Sequence, residues 1–494
     1  MFDWAESDPT LPDEQAKPLI AALRTQLLRA QYRLLERKDR ALLILIGGID
    51  GAGKGDTINL LNNWMDGHHI RTIAFNQPTE DERVYPRQYR FWRALPARGE
   101  IGIVFGSGYA PLIRLAAKKK PNQIELENMI MTSRRYEADL AANGVQVIKL
   151  WFHLSKKAQG ARMLDLLENP STAWKVGPQD RKVHKNFNRI RAAAQRVIEA
   201  TDSEHAPWTI IAAADSNLRV VQTGQAVLQA LKRSRIRVAP VHDPAEPLPM
   251  KRPFNPLAHL DYTAALPKDE YDQALLQWQN KLATLVRSPA FAKKHALMVV
   301  FEGSDAAGKG GAIRRITEAI DARQYEITPV AAPKPFELSR PYLWRFWRRV
   351  PRLGRIAIFD RSWYGRVLVE RVEKLAPQAA WRRAFGEINA FEQQLVRDGI
   401  IMVKFWLGIT AQEQLARFED RQSRPYKQYK ITEEDWRNRN QWKAYEAAAR
   451  EMLTKTDTDD AAWHVIAAND KRYARVEVLK RLVQSIEEQL AKHG

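Results

Sequence analysis

The sequence predicts an α/β protein in which one parallel-sheet domain, with helices on both faces, occurs twice in tandem. The first observation is an internal repeat: the chain aligns with itself at an offset of 255 residues, Leu11 recurring as Leu266, and the register holds to about Asp215. The second is that short uninterrupted apolar runs alternate with helical stretches in each copy, which is typical of parallel strands buried on both faces. A repeat of this length is a whole domain rather than the unit of a solenoid.

Residue types that seldom align by chance keep the repeat in register. The tripeptide Phe-Trp-Arg at 91–93 returns at 346–348. The length of 494 residues also favours two or more domains, since a domain has roughly 150 residues. The stretch between the copies holds six prolines, which disfavour helix and central strand. We therefore expect an N-terminal domain at 1–238, a proline-rich linker at 239–256 and a C-terminal domain at 257–494.

The second copy shows the alternation most clearly. Its predicted elements are helix 271–286, strand 296–301, helix 312–320, strand 356–359, helix 381–397, strand 400–407, charged helices over 411–451, strand 463–467 and helix 474–490. In such folds ligands bind at the carboxyl ends of the strands, so candidate site residues are sought there.

Charge and composition narrow the function classes. The chain has 78 Lys and Arg against 58 Asp and Glu, a net charge of +20, which favours a polyanionic partner. It has no cysteine, which excludes disulfides, thiolate metal sites and cysteine nucleophiles and fits a reducing, cytoplasmic location. No apolar run approaches the ~20 residues that cross a bilayer, and the acidic start is unlike a signal peptide.

A glycine-rich loop between a buried strand and a helix is the strongest functional signal. Residues 301–311 read FEGSDAAGKGG, which has the glycine and lysine spacing of a phosphate-binding loop. Its backbone N–H groups converge on phosphate oxygens, and Lys309 reaches the terminal phosphates. A glycine turn without a ligand is the alternative, but the same loop occurs in both copies. The predicted phosphate-binding residues are Gly303, Ala306, Ala307, Gly308, Gly310 and Gly311.

The residue after the lysine departs from the usual pattern. A serine or threonine ordinarily stands there and helps to hold Mg²⁺, whereas Gly310 follows Lys309 here. Asp305, inside the loop, is therefore the predicted metal-binding acid. Strand 356–359 ends in Asp360, which brings a second carboxylate to the same sheet edge, followed by Arg361 to neutralise the transferring phosphoryl group.

The first copy has lost part of this set. Phe105 stands where the second copy has Asp360, and Gly106 where it has Arg361. Because phenylalanine cannot coordinate a cation, we expect the first copy to be catalytically inactive, with phosphate binding or a structural role left to it. Nine arginines lie between residues 340 and 371, Arg366 among them. Such a run is usually a solvated basic face, but this one lies on both sides of Asp360, which favours a role in binding the substrate.

A basic helix after the third predicted strand of the second copy, 400–407, is a candidate lid. Arg417 and Arg421 lie four residues apart and thus on one helix face, and Lys427 and Lys430 follow. A basic segment that closes over phosphates excludes the water that would otherwise take the phosphoryl group. The alternative is an ordinary charged helix. Together the motifs predict two tandem P-loop kinase-like domains, each with a helical lid.

The stretches 301–311, 359–366, 417–430 and 463–475 together resemble the polyphosphate kinase 2 family, and the fused pair resembles its class II two-domain type. The resemblance implies phosphorylation of AMP to ADP by inorganic polyphosphate in the C-terminal domain, with Mg²⁺ or Mn²⁺. It makes Asp305 and Asp360 the metal ligands, Lys309 and Arg361 the cations that stabilise the phosphoryl group, and Arg417, Arg421, Lys427 and Lys430 lid residues.

Three other functions stay open at this point. One is an ATP-dependent nucleoside monophosphate kinase, and another is phosphorylation of ADP or GDP by polyphosphate. The third is a nucleic-acid-binding or scaffolding P-loop protein, against which the absence of a recognisable nucleic-acid motif counts. We expect polyphosphate and AMP or ADP as partners, no nucleic acid and no membrane; a homo-oligomer is compatible with the sequence.

Overall fold

The computed structural model describes residues 1–238 and 256–492. The predicted linker 239–256 therefore lies outside the described residues except for Pro256, and the side chain of Lys430 is also outside them. Within the part of the chain so covered, no helix is both long and apolar enough to cross a membrane.

The described residues divide into two compact units, and each unit includes a short segment from the other copy of the repeat. The first unit contains most of the first copy together with Lys334–Trp344, and the second contains most of the second copy together with Thr79–Arg90. These segments occupy equivalent positions in the repeat, since 79 plus 255 is 334. Each unit is thus assembled from non-contiguous stretches of chain.

Each unit has a five-stranded sheet in which every strand pair is parallel. In the first unit the strand order is β2-β3-β1-β4-β5, and in the second it is β10-β9-β6-β8-β7. These are the same order read from opposite edges, which confirms the predicted α/β fold with a duplicated parallel sheet. The strands are β1 Ala41–Gly48, β2 Ile70–Ala74, β3 Ile101–Phe105, β4 Val145–His153, β5 Trp208–Ala212, β6 Ala296–Gly303, β7 Tyr325–Pro329, β8 Ile356–Asp360, β9 Ile400–Gly408 and β10 Trp463–Ala467.

The helices follow the repeat as well. Those of the first copy are α1 Asp3–Glu6, α2 Asp13–Arg37, α3 Lys54–Trp64, α4 Glu80–Arg83, α5 Tyr89–Arg93, α6 Tyr109–Ala116, α7 Gln123–Ala142, α8 Lys156–Glu168, α9 Pro178–Lys185, α10 Phe187–Thr201 and α11 Ser216–Lys232. Those of the second copy are α12 Lys268–Arg287, α13 Pro289–Lys294, α14 Lys309–Thr317, α15 Pro335–Leu338, α16 Trp344–Trp347, α17 Val369–Val372, α18 Gln378–Arg397, α19 Ala411–Ser423, α20 Glu433–Asn440, α21 Trp442–Thr456 and α22 Lys471–Lys492.

The long elements of the second copy were predictable, and the short or broken ones were not. Strands β6, β8, β9 and β10 match the predicted apolar runs to within two residues. Strand β7 was missed because it is five residues long and half exposed. The charged stretch 411–451 is divided into α19, a 3₁₀ helix at Pro425–Lys430, α20 and the start of α21.

The core of the second unit explains why its central strands read as continuous apolar runs. Every residue from Ala296 to Glu302 is buried, because helices cover the sheet on both sides. Helices α12 and α22 pack against each other and contribute Leu282, Val286 and Leu482 to the same hydrophobic cluster. The loops at the carboxyl ends of β6 and β8 are thus fixed to a rigid support.

The second unit contains a buried network of charged and polar groups around Lys404 of β9. The ammonium group of Lys404 donates to Glu392 at 2.7 Å, to the carbonyl of Thr456 at 2.7 Å and to the hydroxyl of Tyr364 at 2.9 Å. Lys404 and Glu392 are at most 1 % exposed, so the pair is fully removed from water. The first copy repeats it with Lys149 and the residues equivalent to the other three.

Replacing Lys404 by methionine should strongly destabilise the second unit. The carboxylate of Glu392 would then stay buried without its counter-charge, and breaking one side of such a pair costs about 3–5 kcal/mol. Guanidinium denaturation measures the loss. As a control, Lys480→Met removes a partly exposed partner of Glu477 and should change the unfolding free energy by less than about 1 kcal/mol. Equal small losses in both variants would contradict a structural role for the pair.

Candidate active site

The phosphate loop of the second unit adopts the backbone conformation that its glycines permit. Gly303 has a φ of 140°, and a Cβ atom there would lie 2.3 Å from the carbonyl oxygen of Leu407, so glycine is required. Gly308 has a φ of 104° and stands immediately before the first residue of α14. The loop thus leads from the end of β6 into the start of α14, where the backbone N–H groups of a helix N-terminus can form an anion cradle.

Lys309 starts α14 and curls back over the loop. Its ammonium group donates to the carbonyls of Gly303 at 2.9 Å and of Ser304 at 3.2 Å. The side chain is half-buried, and the space beside the Cα atom of Gly310 is open. Two contacts with backbone carbonyls thus hold the lysine charge next to the cradle.

Asp305 is fixed by two donors that come from distant parts of the chain. Its Oδ1 accepts from Arg361 at 2.9 Å, and its Oδ2 accepts from the amide of Asn438 at 2.9 Å. Burial pushes the pKa of Asp305 upward, but the charges of Lys309 and Arg361 and the two hydrogen bonds hold it below its ordinary value. The carboxylate is therefore ionised at neutral pH.

Asp360 ends β8 and lies beside β6, opposite Phe301 in the register of the sheet. Its carbonyl accepts from the N–H of Val330 at 3.0 Å. Its carboxylate has no hydrogen-bond or ion-pair partner among the described residues, unlike that of Asp305. The structure thus brings both predicted acids to the carboxyl edge of neighbouring strands.

The carboxylates of Asp305 and Asp360 are the candidate ligands for a metal ion at this site. Within residues 1–238 and 256–492 no group of three or more His, Cys, Asp or Glu side chains is arranged to hold a metal. Mg²⁺ is commonly bound by one or two carboxylates, with phosphates of the substrate and water as its other ligands. Two hard oxygen donors, Asp305 and Asp360, next to an anion cradle fit that pattern.

Glu302 is an acidic residue of the site that the sequence did not predict as functional. It is 4 % exposed, and its Oε1 accepts from the hydroxyl of Ser362 at 2.8 Å. Burial raises its pKa to about 6, although the hydrogen bond from Ser362 and the charge of Lys309 act in the opposite direction. An acid inside an apolar, fully buried strand is the sequence signal that would have identified it.

Arg417 supports the phosphate loop from within the fold. It is 5 % exposed, and its guanidinium donates to the carbonyls of Ala306 at 2.8 Å, Ala468 at 2.7 Å and Asn469 at 2.8 Å. Its Nε donates to Glu413 at 2.6 Å. The arginine predicted as a lid residue is thus placed as a brace between the loop and the end of β10.

The other predicted basic residues lie farther along the same region or near β8. Arg421 is on α19, and Lys427 in the 3₁₀ segment pairs with Asp420 at 2.9 Å. Arg366 pairs with Glu370 at 2.7 Å. None of these three lines the cavity described next, whereas Arg361 does.

An open cavity of about 920 Å³, including space continuous with solvent, begins at the phosphate loop. Asp305 and Arg361 form its polar end together with Glu302. Side chains of Leu368 and Ile409 contribute apolar surface. Four aromatic residues complete the walls, namely Tyr262, Trp406, Trp442 and Tyr445. A cavity with an apolar body and a charged end suits a ligand that has a planar ring at one end and a phosphate at the other.

The first copy keeps the glycine-rich loop, but the lysine of this loop is buried and Arg361 has no counterpart. Lys54 is 9 % exposed and donates to the carbonyls of Gly48 at 2.8 Å and Ile49 at 2.7 Å, and burial lowers its pKa. Gly106 has a φ of 71°, and a Cβ atom there would lie 2.1 Å from the carbonyl oxygen of Phe75. The first copy therefore has no room for the counterpart of Arg361.

Side chains of the first copy also fill the region that corresponds to the cavity. By the offset of 255, Trp442 corresponds to Phe187 and Gly408 to His153. Phe2 is 0 % exposed and stacks on His153 with ring centroids 4.0 Å apart. Residues that line an opening in the second unit thus have counterparts that form core in the first.

Comparisons with known proteins agree with this geometry. The sequence model of the family described as Polyphosphate kinase 2 matches residues 10–239 and 265–494. The polyphosphate:AMP phosphotransferase of Pseudomonas syringae pv. tomato is 42 % identical, over 100 % of this chain and 99 % of that protein. The protein of the same name from Pseudomonas aeruginosa is 43 % identical, over 99 % of each chain.

A solved structure shows the same layout. The crystal structure of a polyphosphate kinase 2 from Pseudomonas aeruginosa superposes with a TM-score of 0.89 at 42 % identity and covers 100 % of both chains. Both repeats match the family, and full-length relatives share well over 30 % of their residues with this chain. The resemblance found in the sequence is confirmed: the chain belongs to the polyphosphate kinase 2 family.

Proposed function

We propose that this chain transfers the terminal phosphoryl group of inorganic polyphosphate to AMP and thereby forms ADP. The observation that carries the proposal is the second unit's site, in which Arg361 donates to Asp305 of the phosphate loop at 2.9 Å. Lys309 begins the helix after this loop, and Asp360 ends the neighbouring strand β8. Full-length relatives named polyphosphate:AMP phosphotransferase support the choice of substrates. Catalysis is assigned to the C-terminal domain, 257–494, with the first copy inactive.

The loop and the two basic residues prepare the site for two polyanions. Backbone N–H groups at the start of α14 bind phosphate oxygens of the donor, and Lys309 neutralises charge beside them. Arg361 presents a planar guanidinium to the group in transfer. Asp305 and Asp360 would hold Mg²⁺ or Mn²⁺, which when bound would offset the negative charge of the substrate phosphates.

The acceptor needs little help with its proton. The second pKa of a phosphate monoester is ~6, so the phosphate of AMP is largely dianionic at neutral pH. Its oxygen is thus already a nucleophile, and the residues of the site have to align it and reduce charge repulsion. This explains why a site without a histidine among its lining residues is sufficient.

The cavity is the proposed position of the acceptor's nucleoside. Its polar end at Arg361 would receive the phosphate of AMP, and the aromatic side chains of Trp442 and Tyr445 would contact the base. In the first copy the corresponding volume is occupied by side chains such as Phe2. We therefore assign one acceptor site to each chain.

A product assay tests the proposed function. The protein is incubated with Mg²⁺, polyphosphate and AMP, and nucleotides are separated by chromatography; ADP should form only when polyphosphate is present. Parallel reactions contain ATP with AMP, or polyphosphate with ADP or GDP. Formation of ADP from ATP and AMP without any polyphosphate-dependent reaction would identify an ordinary nucleoside monophosphate kinase and overturn the proposal.

Trp442→Ala should weaken AMP binding selectively. Loss of one aromatic contact with a base costs about 1–3 kcal/mol, so the KM for AMP should rise about 5- to 150-fold while the KM for polyphosphate stays within twofold. Trp174→Ala is the control, because Trp174 is 77 % exposed and lies in the first copy. Initial rates measured against each substrate decide the matter; an unchanged KM for AMP would place the nucleoside elsewhere.

A further inference from the structure

Glu302 is a buried acid whose presence is explained neither by the proposed phosphate binding nor by the proposed metal binding. It is the penultimate residue of β6 and forms part of the cavity wall. A carboxylate that is 4 % exposed is costly to bury unless its oxygens are bonded. Its Oε1 accepts a hydrogen bond from the hydroxyl of Ser362 at 2.8 Å, so the two side chains form a pair.

Comparison of the two copies distinguishes buried acids that both copies keep from acids that the second copy has and the first lacks. The buried lysine–glutamate pair behind the sheet is kept in both copies. Glu302, in contrast, is replaced by Gly47 in the first copy, which has also lost Asp360 and Arg361. Since the first unit folds the same sheet without this acid, the acid is not required by the sheet.

The backbone beside Glu302 is strained at Arg361. This residue has a φ of 63°, a left-handed conformation that is unfavourable for a residue with a Cβ atom. Its N–H donates to the carbonyl of Phe301 at 3.0 Å. The next residue, Ser362, accepts from the N–H of Tyr364 at 3.2 Å and donates to Glu302. The strained residue is thus held on both sides.

The first copy shows the same turn without the strain. Gly106 has a φ of 71°, which glycine adopts without a steric penalty. Ser107 is still present there, but no acid stands opposite it, because position 47 is glycine. The acid and the arginine thus occur together. In the second copy, where residue 361 of the turn is arginine, Glu302 is bonded to the turn through Ser362; in the first copy, where the turn residue is glycine, this contact is missing.

We propose that Glu302 is a positioning residue which, through Ser362, holds the turn at Arg361 so that its guanidinium meets Asp305 and the phosphoryl group in transfer. This inference rests on the proposed function, because the role of Arg361 is defined by phosphoryl transfer. The 2.9 Å contact between Arg361 and Asp305 is the geometry that the anchor maintains.

A double-mutant cycle in the full-length protein tests the proposal. Glu302→Ala should lower kcat about 10- to 100-fold and change the KM for AMP less than threefold, because the acid acts on the arginine and not on the nucleoside. In an Arg361→Ala background, adding Glu302→Ala should lower kcat less than twofold further. Losses that multiply independently would overturn the proposal, since they would show that Glu302 acts by itself.

The conservative variant separates anchoring from charge. Glu302→Gln keeps an oxygen that can accept from the hydroxyl of Ser362, so kcat should stay within about fivefold of the wild type, and Ser362→Ala should resemble Glu302→Ala. If glutamine is as damaging as alanine, the negative charge itself is needed and the positioning role is wrong. Circular dichroism of each variant checks that it is folded.

Stability supplies a readout that does not depend on activity. Because the anchor supports a strained residue, Glu302→Ala should lower the melting temperature more when residue 361 is arginine than in an Arg361→Gly background. Equal shifts in both backgrounds would overturn the proposal even in a fully active enzyme. If instead the wild type forms no ADP from polyphosphate, the proposed function fails, while the stability comparison still decides whether Glu302 anchors the turn.

Discussion

Asp360→Asn is expected to lower polyphosphate-dependent formation of ADP by at least about a hundredfold. Asparagine has nearly the same size as aspartate but no negative charge, so it is a far weaker ligand for a divalent ion. The carboxylate has no hydrogen-bond or ion-pair partner among the described residues, and its charge acts against that of the neighbouring Glu302. Removing it should therefore leave the melting temperature unchanged or slightly higher.

The two copies provide the matched control for this prediction. Phe105 occupies the equivalent position in the first copy, and Phe105→Leu should leave the rate of ADP formation unchanged. Rates are measured at saturating AMP and polyphosphate over a range of Mg²⁺ concentrations. Near-normal turnover of the Asp360→Asn protein would refute the metal assignment, as would an equally large loss in the Phe105→Leu protein.

Arg361→Lys is expected to lower turnover by about a thousandfold, although the charge is retained. The guanidinium reaches Asp305 at 2.9 Å and lies 3.7 Å from Glu434, which leaves its planar face and remaining donors oriented by two acids. An ammonium group cannot donate in two fixed parallel directions. Lysine would therefore neutralise charge on average without aligning the phosphoryl oxygens.

An exposed arginine serves as the comparison. Arg349 is 54 % exposed and pairs with Glu326, and Arg349→Lys should leave kcat within twofold of the wild type. Single-turnover kinetics with AMP and polyphosphate distinguish the chemical step from product release. Retention of more than a tenth of the wild-type rate in Arg361→Lys would show that charge alone suffices and that the fork geometry is dispensable.

Local pattern was sufficient to predict the loop and the acid at the end of β8. A glycine-rich loop between an apolar run and a helix is a contiguous signal, and an apolar strand that ends in Asp360 has to deliver this residue to the carboxyl edge of a parallel sheet. Because the chain is duplicated, each motif could be compared with its counterpart 255 residues away. This comparison shows from the sequence alone that Phe105 stands where the second copy has the acid Asp360.

Contacts that join distant parts of the chain could not be predicted in this way. Asn438 bonds Asp305 from 133 residues away, and Gln414 reaches its carbonyl from 109 residues away. Neither residue belongs to a recognisable pattern. Helical spacing shows which face Arg417 occupies, but not that this face meets the carbonyl of Ala306. Such information arises only when the sheet brings its loops together.

The tight fit at Gly106 has a consequence for how a duplicated gene can change. Restoring arginine at this position would drive its Cβ atom to 2.1 Å from the carbonyl oxygen of Phe75, so the end of β2 would have to move at the same time. Replacing Phe105 by aspartate and Gly106 by arginine would therefore not by itself reproduce in the first copy the geometry of Asp360 and Arg361. A side chain at residue 106 requires a different backbone at Phe75, so this part of the two copies cannot be exchanged one residue at a time.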